Sequence, residues 1–209
     1  MDKILAWHFT KGMVLRDGQP LVIGKTYIHT GKIKMCESGY HASKRITNAL
    51  RYAPGAQLSR VRVWGDIQED GDKLVARNRK VLWTIDATRI LHLFACDVAE
   101  EALKRIENPD PRSFAAIETK RRWLNGKATD EELSAAWSAA REAWRTALNA
   151  ARSAALAAES ATWRAALAAQ SAAVSAARGA VWSGSWSMSW SAYEKKLVAM
   201  VESAHKEEG

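Results

Sequence analysis

The sequence predicts an α+β protein, with a small mixed or antiparallel-sheet head over residues 1–96 and an all-α, alanine-rich tail over residues 97–209. In the head, short runs of alternating polar and apolar side chains are separated by turn dipeptides such as Asp17–Gly18, which is typical of strands. In the tail, 22 of the 49 residues from Leu133 to Val181 are alanine and none is proline. Alanine has the highest helix propensity, so this composition favours helix.

The head contains strands joined by short connections. One helix is predicted from Ile46 to about Tyr52, where Pro54–Gly55 ends it, and another begins near Thr88. The residues Glu69–Asp72 are predicted to form a turn. Six segments carry the strand pattern: Ile4–Thr10, Thr26–Thr30, Lys32–Met35, Tyr40–Ser43, Leu58–Trp64 and Lys80–Ile85.

The first tail helices carry clear start and stop signals. Proline fits the first turn of a helix, so Pro111 is predicted to begin a helix that runs to about Leu124 and ends at Asn125–Gly126. Thr129 and Glu132 then have the spacing of a capping box. A long helical region should therefore start at Thr129.

Larger side chains recur every three or four residues along this region and form one apolar stripe. Unbroken, the helix would be a rod of about 75 Å that could not bury its own stripe. We therefore expect a helical hairpin or a homodimer formed through the tail. Trp182, Trp186 and Trp190 form a second stripe and are candidate contacts for self-association or for a partner.

Charge and composition limit the classes of partner. The net charge is +8, and residues 1–100 contribute +6 of it, with 16 Lys and Arg against 10 Asp and Glu. A basic head could attract a nucleotide-like ligand, an acidic host protein or nucleic acid, although such a charge also serves solubility. No apolar run approaches ~20 residues, which predicts no membrane span. The absence of a signal-peptide pattern and the two cysteines predict a cytoplasmic protein with reduced thiols.

Few residues show the spacing of a catalytic centre. Cys36 could pair with His8 or His41 as a nucleophile, but a buried structural cysteine is the favoured interpretation. Histidines and cysteines are scattered without ligand spacing, so no metal site is predicted. Neither a glycine-rich phosphate loop nor a Gly-x-Ser-x-Gly motif is present.

Aromatic and basic side chains of the head could hold a nucleotide, although most of the aromatic residues are expected in the core. Stacking on a base or nicotinamide is one use of such rings, and basic groups bind phosphates. The candidates are Trp7, Tyr40, Tyr52, Trp64 and Trp83 for stacking, with Lys44, Arg45, Arg77, Arg79 and Lys80 for phosphate.

Several segments resemble an uncharacterised domain common in bacteriophage and prophage proteins. These are AWHF, CESGYHAS, NALRYAPG and GDKLVARNRKVLWTIDATRIL, within residues 4–95. The tail resembles the Ala-, Arg- and Trp-rich tails of that family, which end in a Leu-x-x-Met-Val pattern, here Leu197–Val201. The resemblance implies a phage accessory protein, for which interference with a host defence system is a natural role.

The head also resembles, more loosely, the first two motifs of ADP-ribosyltransferase-like domains, which hold NAD. The matching positions are His8 on the first strand and Tyr40, His41 and Ser43 on the second, with Tyr52 as a nicotinamide stacker. Under this alternative the protein is an NAD-dependent ADP-ribosyltransferase or NAD glycohydrolase with NAD as its cofactor.

The third motif of that family is a glutamate before a late strand, and the corresponding position here reads Arg77-Asn78-Arg79-Lys80. Either another acid substitutes, with Asp72 and Glu37 as candidates, or the pocket binds without reacting. The sequence therefore favours a binding protein without a cofactor. An NAD-cleaving enzyme and a nucleic-acid-binding protein are the alternatives.

Overall fold

The computed structural model describes residues 3–158 and 190–208, which group into two compact units. The sheet unit comprises Met1–Leu91 and Ser191–Gly209, and the helical unit comprises His92–Trp190. The predicted α+β class, with an N-terminal sheet and C-terminal helices, is confirmed. Within the described ranges, no helix has both the length and the apolar character that crossing a membrane requires.

The sheet unit contains two antiparallel sheets. The order of one is β1-β4-β7-β2, and that of the other is β3-β6-β5. Trp7 and Ser43 exchange two backbone hydrogen bonds of 2.8 and 3.0 Å, which join β1 to the chain just after β3. The strands are β1 (Ile4–Thr10), β2 (Thr26–Ile28), β3 (Tyr40–Ala42), β4 (Gln57–Trp64), β5 (Gln68–Asp70), β6 (Lys73–Ala76) and β7 (Asn78–Asp86).

The core lies where the alternating strands turn their apolar side chains inward. On β4, Leu58, Val61 and Val63 are fully buried, and on β7 so is Val81. Between them the register of β4 against β7 shifts at Arg60, which marks a bulge. The predicted alternation of basic and apolar residues on β4 is therefore confirmed as a strand with one buried face.

The described helices follow the predicted start signals. Asp110 caps α3 by accepting a hydrogen bond from the backbone N–H of Arg112 at 2.9 Å. Thr129 and Glu132 form the capping box of α4 reciprocally, with hydrogen bonds of 2.7 and 3.2 Å. Gly126, with φ +66°, follows the end of α3. The helices are α1 (Ile46–Leu50), α2 (Thr88–Leu103), α3 (Pro111–Leu124), α4 (Asp130–Ala158) and α5 (Trp190–Glu208).

One strand prediction was wrong, and one predicted turn is shorter than expected. The segment Lys32–Met35 forms no strand and leads into a turn, in which the carbonyl of Lys34 accepts hydrogen bonds from the N–H groups of Glu37 and Ser38. Within the predicted turn Glu69–Asp72, Gly71 and Asp72 reverse the chain, whereas residues 69 and 70 end β5. Acidic residues are depleted in strands, and β5 ends in Glu69 and Asp70, so the β5–β6 hairpin was not predicted from the sequence.

Helix α5 belongs to the sheet unit, whereas the sequence grouped it with the helical tail. The Glu194 carboxylate accepts hydrogen bonds from the N–H groups of Ile46 and Thr47, at 2.7 and 3.0 Å, and from the Thr47 hydroxyl. The residue before α1, Arg45, supplies no side-chain cap. Glu194 therefore caps a helix that lies almost 150 residues earlier in the chain.

The apolar side of α5 explains this placement. Tyr193, Leu197 and Val201 are each at most 3% exposed, and the His205 ring stacks on Trp83 at 4.3 Å. The spacing of four residues puts them on one face. Trp190 is the first residue of α5, while Trp182, Trp186 and the predicted bend or hairpin lie outside the described residues.

Replacing Glu194 by glutamine should lower the free energy of unfolding by about 1–2 kcal/mol, the usual cost of weakening a helix cap. The neutral amide accepts hydrogen bonds less strongly from the α1 N–H groups. Urea denaturation followed by circular dichroism measures the change. Glu207→Gln, at an exposed position of the same helix, is the matched control. Equal stability of the two variants would contradict the capping role.

Candidate functional site

A cleft of about 1010 Å3 opens in the sheet unit and is the candidate site. Its walls come from β1, the turn that follows it, the segment 36–43, α1, and single residues of β6 and β7. Seven of the candidate ligand-binding residues line it: Trp7, His8, Tyr40, His41, Ser43, Tyr52 and Arg79.

The candidate residue Arg77 lies outside this cleft lining. Its Nε donates to Asp66 at 2.6 Å, and its Nη1 donates to the carbonyls of His29 and Gly31 at 2.8 and 2.9 Å. These contacts fix the connection between β6 and β7. Arg77 therefore has a structural role, because three of its five N–H donors hold this connection.

Arg79 is the central feature of the cleft. The side chain is 2% exposed, its Nη2 donates to the His41 carbonyl, and its guanidinium lies 5.2 Å from the centroid of the Tyr40 ring. Its Nε is buried without a hydrogen-bond partner, and among residues 3–158 and 190–208 no carboxylate lies within ion-pair distance. Burial lowers the pKa of Arg79 to about 10, so it stays protonated at neutral pH.

A second buried polar atom of the cleft wall is also unpaired. His29 Nε2 has no hydrogen-bond partner among the described residues. Buried polar atoms are normally paired, and each exception calls for an explanation such as a missing ligand. Arg79 and His29 therefore leave free hydrogen-bonding capacity in one cavity.

The two predicted histidines of the cleft are neutral at neutral pH. Burial lowers the pKa of His8 well below its ordinary value, and the nearby charge of Arg79 lowers it further. Burial also lowers the pKa of His41, followed by the charge of Arg16. The Nε2 atom of His41 accepts a hydrogen bond of 2.8 Å from the backbone N–H of Cys36.

Cys36 is exposed, so the prediction of a buried structural cysteine was wrong. The residue lies in the turn before β3 with φ +65°, a left-handed conformation that is uncommon for residues other than glycine. The Lys73 ammonium donates to Cys36 Sγ at 3.1 Å, and this hydrogen bond raises the pKa of Lys73. Both residues line the cleft.

Gly39 lets this turn approach the sheet. Its φ is +100°, and a Cβ atom there would lie 2.7 Å from Cγ2 of Val75 on β6. Any larger residue would push the turn away from β6. The glycine thus positions both Cys36 and Tyr40 at the cleft.

The aromatic residues divide between core and cleft surface. Trp7 and Tyr40 are 2% and 8% exposed, and Trp7 contacts Trp83 edge to face at 5.7 Å. Tyr52 is 52% exposed at the cleft wall, and Lys73 lies 5.4 Å from the centroid of its ring. Tyr52 therefore offers the accessible ring surface for stacking.

The acids proposed to replace the missing glutamate have other partners. Asp72 accepts hydrogen bonds from the Tyr52 hydroxyl at 2.6 Å and from Arg51 at 2.8 Å. Glu37 lines the cleft but forms an exposed ion pair with Lys34 at 2.6 Å. Neither carboxylate lies in the segment Arg77–Lys80, where the resembled family carries its glutamate.

Several residues of the wall were not predicted from the sequence, among them four that are charged or can carry a charge: Arg16, Asp17, His29 and Lys73. They lie in connecting segments and in the β5–β6 hairpin. These segments come close to β3 through pairing between strands that are distant in sequence, such as β3 with β6. Of the four, only Asp17 lay in a segment that the sequence marked as a turn. In the described part of the chain, no three His, Cys, Asp or Glu side chains group to hold a metal ion.

Comparison with known proteins adds one match. Residues 5–93 match the model of a family described as a domain of unknown function (DUF7666). The matched range contains all the cleft-lining residues and excludes α5. No curated protein and no solved structure matches the chain.

The neutral histidines predict a pH dependence of stability. Because the pKa of His8 is lower in the folded chain than the unfolded value of about 6.5, the unfolded chain binds more protons below that pH. The free energy of unfolding should therefore be constant above about pH 7 and fall towards pH 5. His8→Gln should reduce this slope in urea denaturation series. An unchanged slope would show that His8 is not buried as the neutral form.

Proposed function

We propose that the protein is a binding protein whose cleft holds a small anionic, nucleotide-like ligand. The observation that carries this proposal is Arg79, a buried guanidinium with a free Nε and no carboxylate partner among the described residues. Burying an unpaired charge costs several kcal/mol, so a fold that retains one has a use for it. An anion in the cleft would supply the missing acceptor.

The remaining wall supports a nucleotide rather than a simple anion. Tyr52 presents an accessible ring, and His29 Nε2 offers a further polar contact. A volume of about 1010 Å3 is at the upper end of the range for ligand pockets and accommodates a nucleotide. Lys73 and Arg16 add positive charge along the wall, which favours phosphate groups.

The NAD-cleaving alternative is supported by the meeting of His8, Tyr40, His41 and Ser43 in one cleft. Binding is the better-supported function, because Asp72 and Glu37 are engaged with basic residues or Tyr52. An oxocarbenium-like transition state needs a carboxylate close to the sugar. A basic cavity with Arg79 at its centre suits the phosphates instead.

The biological setting is part of the same proposal. A phage- or prophage-encoded accessory protein would act in the cytoplasm of the bacterial host, where sequestering a nucleotide-like signal would interfere with a defence system. The resemblance of the head segments supports this setting. On the helical region, Trp137 and Trp144 are 55% and 41% exposed on α4, which supports association through that region with a partner or a second copy.

Replacing Arg79 by methionine should weaken ADP binding roughly 10- to 100-fold, the usual loss for hydrogen bonds to a charged group. Isothermal titration calorimetry with ADP measures the affinity, and circular dichroism confirms folding. Methionine fills a similar volume without charge, so the fold should survive. Arg62→Met removes the same charge from β4 outside the cleft lining and should leave ADP affinity unchanged.

A second variant separates a nucleotide from a bare phosphate. Tyr52→Leu should weaken ADP binding but leave pyrophosphate binding unchanged, because only the base can stack. No detectable binding of ADP or pyrophosphate to the wild-type protein would contradict the proposal. If the wild-type protein released nicotinamide from NAD and His8→Ala abolished that release, the enzyme alternative would replace the binding proposal.

A further inference from the structure

The segment before β3 brings a thiol, an ammonium group and an imidazole to one wall of the cleft. Cys36 is exposed, Lys73 Nζ lies 3.1 Å from its sulfur, and His41 Nε2 accepts from its backbone N–H. The other cysteine, Cys96, is buried in the helical unit, where burial raises its thiol pKa. The two thiols of the chain therefore have opposite environments.

We propose that Cys36 is a reactive thiol that captures small anionic disulfides as mixed disulfides. The thiolate is the attacking form of cysteine, and an ammonium group in contact with the sulfur stabilises negative charge there. Contact between Lys73 and Cys36 supplies this stabilisation. Cys36 lies in the cleft described above, but its reaction with a disulfide does not require a bound nucleotide.

The surroundings favour an anionic reagent. Arg16 donates to the Cys36 carbonyl at 3.3 Å, and the buried Arg79, whose Nε has no hydrogen-bond partner, lines the same cleft. The carboxylate of Glu37, the residue that follows Cys36, forms an ion pair with Lys34 at 2.6 Å. An anionic group on the disulfide can therefore occupy the basic wall while its sulfur meets Cys36.

The reaction is a balanced thiol–disulfide exchange. The Cys36 sulfur attacks one sulfur of the reagent, a new S–S bond forms, and the reagent's S–S bond breaks. The Cys36 sulfur is oxidised, and the departing sulfur is reduced and leaves as a thiolate. The proton that Cys36 loses is available to the leaving group, so no further oxidant is needed.

The full-length protein provides the test, with the dianionic disulfide dithiobis(nitrobenzoate) and the neutral dithiodipyridine as reagents. Stopped-flow absorbance should show a fast stoichiometric phase that Cys36→Ser removes and Cys96→Ser retains. Lys73→Met should slow the anionic reagent about two- to fivefold, the factor expected for one exposed ion pair, and the neutral reagent less. Lys73→Arg keeps the cation and should react nearly as the wild type does.

Peptide mapping after exposure to glutathione disulfide should locate the mixed disulfide at Cys36. A fast phase that persists in Cys36→Ser, or rates that Lys73→Met leaves unchanged with both reagents, would overturn the proposal. The measurement uses no nucleotide, so a failure of ADP to bind would leave its outcome intact. Loss of ADP binding in Arg79→Met with full Cys36 reactivity would likewise separate the two proposals.

Discussion

The cleft depends on one buried charge. Arg79 is placed on β7, a strand paired on both sides, so the sheet fixes its backbone, and the residue is only 2% exposed. Its guanidinium contacts the His41 carbonyl and the Tyr40 ring, which orient it but do not neutralise it. Burial lowers the pKa of His8, and the same charge lowers it further, so that imidazole is neutral. The cleft is therefore a basic cavity with one fixed cation.

The far end of the chain stabilises the cleft. Helix α1 contributes Ala49 to the wall, yet it is only five residues long and has no cap of its own. A helix this short is marginal without tertiary support. Glu194 supplies that support from α5, which is anchored by Tyr193, Leu197 and Val201. Helix α5, which lies outside the matched range 5–93, therefore stabilises a cleft wall that residues within that range form.

The predictable part of the site lay in local pattern. The segment Tyr40–Ser43 alternates and leads into a helix, so strand β3 could be predicted from local pattern, whereas its meeting with His8 was expected only from the resemblance. Arg77 and Arg79 looked equivalent, because both stand just before the predicted strand Lys80–Ile85. The chain leaves the ladder at Arg77 between β6 and β7, which separates their roles. The exposure of Cys36 and the docking of α5 depend on contacts across 37 and 148 residues, which local pattern does not encode.

The most direct test of anion binding in the cleft follows the unpaired donor, the Nε–H of Arg79. Arginine Nε–H resonances of the labelled protein can be followed by NMR while ADP is added. The Arg79 Nε–H signal should shift and gain protection from exchange as the anion occupies the cleft. The Arg77 Nε–H signal, already bonded to Asp66, should remain unchanged as an internal reference. An Arg79 signal that is unaffected by saturating ADP would contradict the central claim.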